Sequence, residues 1–218
     1  MGQIFSPQCN TIARAGIVCA VLMVAGGGWL MAAIFWSPYT TEVNIPRDQP
    51  VPFSHKHHVD GLGIDCRYCQ TTVEKSHYAG IPPTEICMTC HSQLWTQAAL
   101  LEPVRQSMAT GKPIQWTRVN DLPDFVYFDH SIHVNKGVGC ATCHGPVDQM
   151  PLTWKGNTLY MKWCIECHRA PENQLRPREE VFNMKWLKPR NQRLEGIKLV
   201  AKYHVETSRL TNCSVCHH

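Results

Sequence analysis

Residues 128–144 read FDHSIHVNKGVGCATCH, and the last five, Cys140-Ala-Thr-Cys143-His144, have the C-x-x-C-H spacing that attaches a c-type haem. The spacing follows from the chemistry. Two thiols three residues apart can each add to one vinyl group of the same porphyrin. The next residue is then held against one face of the ring, where a histidine nitrogen can bind iron. His130 and His133 stand upstream and are candidates for the opposite face. One segment thus carries attachment, a proximal ligand and possible distal ligands.

The signature recurs at Cys87-Met-Thr-Cys90-His91, Cys164-Ile-Glu-Cys167-His168 and Cys213-Ser-Val-Cys216-His217, while Cys66-Arg-Tyr-Cys69 is followed by Gln70 instead of histidine. Zinc ribbons and dithiol redox sites also use C-x-x-C, but neither requires histidine as the next residue. Five covalently bound haem c groups are expected. Ten of the 12 cysteines lie in these pairs, leaving Cys9 and Cys19, so structural disulfides are not expected.

Charged residues make up only 17% of the 218-residue chain, beside 14 Gly and 15 Pro. With haems supplying large apolar surfaces, the polypeptide can wrap them with little regular structure. The formal charge of +4 is no sign of nucleic-acid binding, because five haems would add about ten propionate charges.

After a short N-terminus (residues 1–14), the stretch Ala15 to Trp36 holds no charged residue and is long enough to cross a bilayer core of roughly 30 Å. A secretory signal peptide has a shorter apolar region. Trp36 and Tyr39 suit an interfacial aromatic belt. A single membrane anchor is expected, with the N-terminus in the cytoplasm. Covalent haem attachment in bacteria takes place outside the cytoplasmic membrane, which puts the remainder on the periplasmic side. The Pro-containing run 37–52 reads as an extended tether.

The rest contains an internal repeat. FSHKHHVDGLGIDCRYC (53–69) parallels the stretch quoted above: Phe-x-His-x-x-His-Val, then Gly-x-Gly, then a cysteine pair. A Pro-x-Thr element and a second haem motif follow each copy, defining dihaem modules at 53–102 and 127–172 joined by a linker at 103–126. Residues 173–218 form a basic linker and a C-terminal haem unit. The stretch 173–202 carries eight Lys or Arg against three Glu, and reads equally as a partner-docking surface or as a solvated helix and loop. The glycines of the repeat suit close approach of backbone to a porphyrin, or read as ordinary turn residues.

Five haems need ten axial ligands. The motifs supply His91, His144, His168 and His217 as proximal ligands. His55 and His58 recur as His130 and His133, and with His204, just upstream of Cys213, they are the distal candidates. His77, downstream of Gln70, is the candidate substitute ligand for the first haem. His57 and His218 have no repeat equivalent and read as spectators. Met150 and Met161 read as packing residues.

The stretches VPFSHKHHVDGLGIDCRYC, GIPPTEICMTCHSQ, LEPVRQSMATGKPIQWTRV, LPDFVYFDHSIHVNKGVGCATCHGPVDQMPLTW and MKWCIECHR together resemble the pentahaem, membrane-anchored cytochrome subunit of bacterial alternative complex III. The paired Phe-x-His-x-x-His elements also resemble the small trihaem class III cytochromes. The resemblance implies a mostly irregular, α-containing multihaem cytochrome with class III-like haem packing and one N-terminal transmembrane helix. It further implies a role in quinol oxidation, receiving electrons from an iron–sulfur subunit and passing them towards a monohaem cytochrome, a soluble cytochrome c or a copper protein. A subunit of this kind is an electron carrier with no substrate site of its own. Gln70 departs from the pattern of that family. A stand-alone membrane-anchored quinol dehydrogenase, or a multihaem reductase with an open first haem, are the readings from other classes.

Overall fold

The computed structural model describes residues 5, 6 and 8–217. Helix α1, Gln8–Trp36, is unbroken over 29 residues, with a mean hydropathy of 2.3 in its most apolar window, and none of its residues is buried. It is long and apolar enough to cross a membrane. It begins ahead of the uncharged stretch because nothing in Gln8 to Arg14 breaks a helix. The one-turn helix α2, Pro38–Thr41, follows, with Thr41 Oγ1 donating to the Ser37 carbonyl at 2.9 Å, and stops at Glu42, where φ turns to 58°. These residues, up to Glu42, form one unit, and Val43–His218 the second.

The second unit is helical and irregular. Its described residues form no sheet, only the isolated bridges Val43–Lys155, Pro46–Trp154 and Val138–Leu175. The run after Val43 is extended and lies along residues 153–155. Gln49 then clamps the Thr117 backbone from both sides, Nε2 donating to its carbonyl at 2.9 Å and Oε1 accepting from its N–H at 3.0 Å.

Each cysteine pair sits on a short helical turn: α3 (Cys66–Cys69), α4 (Thr84–His91), α7 (Cys140–His144) and α8 (Met161–Arg169), with a 3₁₀ turn at Cys213–Val215. One turn is what the chemistry needs, since residues three apart share a helix face. Helix α5 (Glu102–Thr110) links the two repeats, and α6 (His130–Asn135) carries the histidines of the second. Asp129 caps α6 by accepting from the N–H groups of Ser131 and Ile132 at 2.8 and 3.3 Å. In the first repeat the equivalent segment, Lys56–Gly61, is a π-helix. That copy has one more residue between its Phe and its first Cys, and a widened turn is how a helix absorbs one extra residue.

The apolar core is small. Val73, Val134 and Val181 form its centre, with Ala79, Cys140 and Phe182 packed against them. The final helix α9 (Gln192–Lys202) lies on the turn Pro171–Asn173, with Gly196 against the Glu172 backbone. The basic stretch 173–202 is therefore partly structural. Arg178 Nε donates to the Asn135 carbonyl at 2.7 Å, and Lys185 pairs with Asp60 at 2.9 Å. Gly137, at φ 84°, and Gly139 do permit a close approach, but it is to the chain itself: Arg176 and Tyr203 occupy the space a side chain would need.

Candidate functional site

Three pairs of histidine rings face one another. The ring centroids are 6.3 Å apart for His58–His91, 6.3 Å for His130–His144 and 6.1 Å for His133–His168. Metal–imidazole bonds are about 2 Å long. Two in line, plus the distance from each ring nitrogen to its centroid, separate the centroids by about 6 Å. The pairs therefore have the separation of two axial ligands on one iron. Each joins a histidine of a Phe-x-His-x-x-His element to a histidine that follows a cysteine pair, so the donor set and the attachment thiols fit haem c. Among the described residues no three His, Cys, Asp or Glu side chains converge on one point.

The repeat is conformational as well as sequential. Phe53 meets His55 edge-on at 4.8 Å and stacks on His58 at 4.4 Å, and Phe128 meets His130 edge-on at 4.7 Å and stacks on His133 at 4.5 Å. The phenylalanine holds both imidazoles at fixed angles.

Eight histidines have Nδ1 tied down, leaving Nε2 for a metal. Nδ1 of His58 donates to the Ser54 carbonyl at 2.8 Å and that of His133 to the equivalent Asp129 carbonyl at 2.7 Å. His91, His168 and His217 donate to the carbonyls of Leu94 (3.2 Å), Leu210 (2.8 Å) and Phe125 (2.9 Å). His130 uses the His77 carbonyl at 2.9 Å, and His55 the Thr153 hydroxyl at 3.0 Å. His144 Nδ1 lies 3.0 Å from the Asn120 amide nitrogen, while Asn120 Oδ1 is buried without a partner. Turning that amide by half a rotation makes Oδ1 the acceptor of the His144 Nδ1–H and moves the amide nitrogen to the buried position. Burial holds the His144 ring down to about 4, helped by His130 and His55. Burial, then His58, does the same for His55, also to about 4. Both rings are neutral at pH 7, the form that binds metal.

The thiols fall into a spatial series that is not the order of the sequence. Cys140 neighbours Cys66, and each acts on the other, holding the Cys66 thiol down and pushing Cys140 up. Cys69 is raised by burial and then by Cys87 close by. Burial raises Cys143 to about 12, with Cys167 and Cys164 adding to it. Cys164 is raised by burial and by its neighbour Cys216. In space the pairs run second, first, third, fourth, fifth.

His77 meets this site through its backbone, since its carbonyl holds His130. His204 lies in the turn after α9 with φ 51°, its carbonyl accepting from Lys136 Nζ at 3.2 Å. No ring contact joins the His77 or His204 imidazole to another histidine among the described residues. Gln70 ends α3, its N–H donating to the Cys66 carbonyl at 2.8 Å. His57 is exposed beside Trp95, and His218 lies outside the described residues. Met150 is fully buried and Met161 exposed. Asn120 and Trp95, which stacks on His91 at 5.9 Å, belong to no motif of the sequence. Thr153 closes the second Pro-x-Thr element, a pattern that does not by itself disclose the contact with His55.

Residues 132–218 match the family model described as cytochrome c3. The menaquinone reductase multihaem cytochrome c subunit of Nitratidesulfovibrio vulgaris (strain Hildenborough) is 30% identical over 170 residues, covering 68% of this chain and 80% of that protein. With the motifs and the facing histidines, these similarities mean that the chain belongs to the cytochrome c3-like family of multihaem cytochromes, which hold haem c covalently.

Proposed function

We propose that this chain binds five haems c through its five cysteine pairs and relays single electrons within a membrane-bound quinone-linked oxidoreductase of the alternative complex III type. The observation that carries the reading is the set of facing histidine pairs. Three of the five haems would lie between two histidines and would then have no open position for a substrate; a bound haem would supply one-electron Fe(III)/Fe(II) chemistry. The chain contributes fixed ligands, neutral imidazoles and thiols that bring neighbouring attachment sites together. The spatial series makes the Cys87–Cys90 and Cys213–Cys216 sites the two ends of the relay. Helix α1 anchors it, with the haem-binding unit on the periplasmic side. An iron–sulfur subunit is the donor, and a monohaem cytochrome, a soluble cytochrome c or a copper protein the acceptor.

The test is purification from the native membrane in mild detergent. The intact mass should show five haems, and an iron–sulfur protein should co-purify. A chain that purifies alone would overturn the subunit reading. The relative named as a menaquinone reductase subunit favours the reverse direction, from a reduced carrier to quinone. Mixing the isolated complex with quinol and oxidised carrier, or with quinone and reduced carrier, decides the direction.

A further inference from the structure

Arg176 is only 4% exposed, yet its guanidinium is poorly satisfied. Nη1 reaches the carbonyls of Glu180 and Asn183 at 3.5 and 3.3 Å, and Nη2 reaches Thr142 Oγ1 at 3.4 Å, all long. Nε has no partner. No ion pair includes Arg176 among the described residues. The carboxylate of Glu180, one turn on, is engaged by Asn183 Nδ2 at 2.6 Å. The guanidinium lies over the Trp186 ring, 4.3 Å from its centroid, and Arg176 N–H is pinned to the Gly137 carbonyl at 2.9 Å. Gly139 leaves the room: a methyl group there would strike the guanidinium. A cation is thus locked beside Gly139, Cys140 and Thr142, at the start of the third attachment helix.

Burying a charge without close partners is unfavourable; the Glu180 carboxylate acts on this one from beyond ion-pair distance, and arginine does not escape by losing its proton. Surrounding protein lowers the dielectric and lengthens the reach of the charge. Reduction of a haem at Cys140 and Cys143 adds one electron and no proton at this site. The electron arrives from a neighbouring haem, ferric iron becomes ferrous, and the guanidinium stays protonated. A nearby cation stabilises the reduced form.

We propose that Arg176 is a positioning residue of the relay, whose permanent charge raises the reduction potential of the haem on Cys140 and Cys143. The proposal rests on the reading that this pair carries haem, so the haem count by intact mass is measured on every sample. A missing haem in the wild type sinks that reading; a full count leaves the tuning role to be judged separately.

The experiment is a spectroelectrochemical titration of the full-length, haem-loaded protein as wild type, Arg176→Gln and Arg176→Lys. In Arg176→Gln one midpoint should fall by about 59 mV, a tenfold change in the ferrous-to-ferric ratio at fixed potential. Arg176→Lys should hold that midpoint near the wild-type value. Unchanged midpoints in a fully loaded Arg176→Gln protein, or a fall in Arg176→Lys as large as in Arg176→Gln, would overturn the proposal. Where Arg176→Gln does not accumulate, Thr142→Asp decides. It sets a carboxylate beside Nη2 with the arginine in place, and must lower the same midpoint; no shift would overturn the proposal.

Discussion

His130 and His144 face each other with ring planes only 7° apart, whereas the His58 and His91 planes are turned by 65° and those of His133 and His168 by 26°. The three sites share a donor set and differ in twist. In a low-spin ferric haem the angle between axial imidazole planes sets the splitting of the iron d orbitals, and so the shape of the paramagnetic resonance signal.

Electron paramagnetic resonance of the oxidised protein should therefore show rhombic signals together with one strongly anisotropic signal of large g, from the twisted His58–His91 site. His58→Met should remove that signal and leave the rhombic ones. Loss of a rhombic signal instead would contradict the pairing.

Asn120 gives a second check. A carbonyl-type acceptor on Nδ1 makes the imidazole more basic and favours ferric iron. Asn120→Leu should raise one midpoint and Asn120→Asp should lower it, read by redox titration. Identical midpoints in both variants would mean that Asn120 only fills space.

Two changes probe the frame. Asp129→Ala removes the cap of α6 and should cost about 1 kcal/mol of stability, with Asp129→Ser recovering most of it. Gly196→Ala drives a methyl group into the Glu172 backbone, which cannot swing aside as a side chain would, and should cost roughly 1–3 kcal/mol. Thermal melts of the haem-loaded protein measure both.

The spatial series predicts an asymmetry between deletions. Removing the first pair by Cys66→Ala with Cys69→Ala should cut the Cys87–Cys90 site off from the rest, giving one slowly reduced haem in rapid mixing with a donor to the other end. Removing Cys213 and Cys216 should leave the remaining four equilibrating together. Uniform kinetics in the first variant would rule out the order.

Much of this was legible in the sequence because haem attachment imposes a local code. C-x-x-C-H, the duplicated Phe-x-His-x-x-His and the long uncharged N-terminal stretch each act within a few turns of chain. The irregular, helical character followed from the same motifs. Which upstream histidine faces which downstream one was not legible, because His133 and His168 meet through the path of the intervening loop. The order of the thiols was hidden for the same reason: Cys66 and Cys140 are distant in sequence and adjacent in space. Arg176 read as one more charge in a basic stretch, since burial leaves no mark on the sequence. Gly137 and Gly139, expected to approach a porphyrin, approach Arg176 and Tyr203 instead, because the residue type does not name the approaching group.

The contacts between the two repeats are reciprocal. The Lys56 N–H donates to the Met150 carbonyl at 3.0 Å, and the equivalent Ser131 N–H donates to the Ser76 carbonyl at 3.2 Å. Cys66 and Cys140, which are equivalent to each other, are neighbours whose thiols act on one another. When equivalent groups exchange partners and one equivalent pair meets itself, the arrangement is that of a two-fold dimer, with the self-contact beside the axis. The two modules are thus a dimer written into one polypeptide. The series of attachment sites is a palindrome about Cys66 and Cys140, and a palindromic wire has no intrinsic direction. Several features break the mirror: Gln70 on one arm, where the other has His144; the Cys213–Cys216 site added beyond the other arm; the unequal ring twists of His58–His91 and His133–His168; and Arg176 beside Cys140 alone. Whatever polarity the electron path possesses is built from such departures from symmetry.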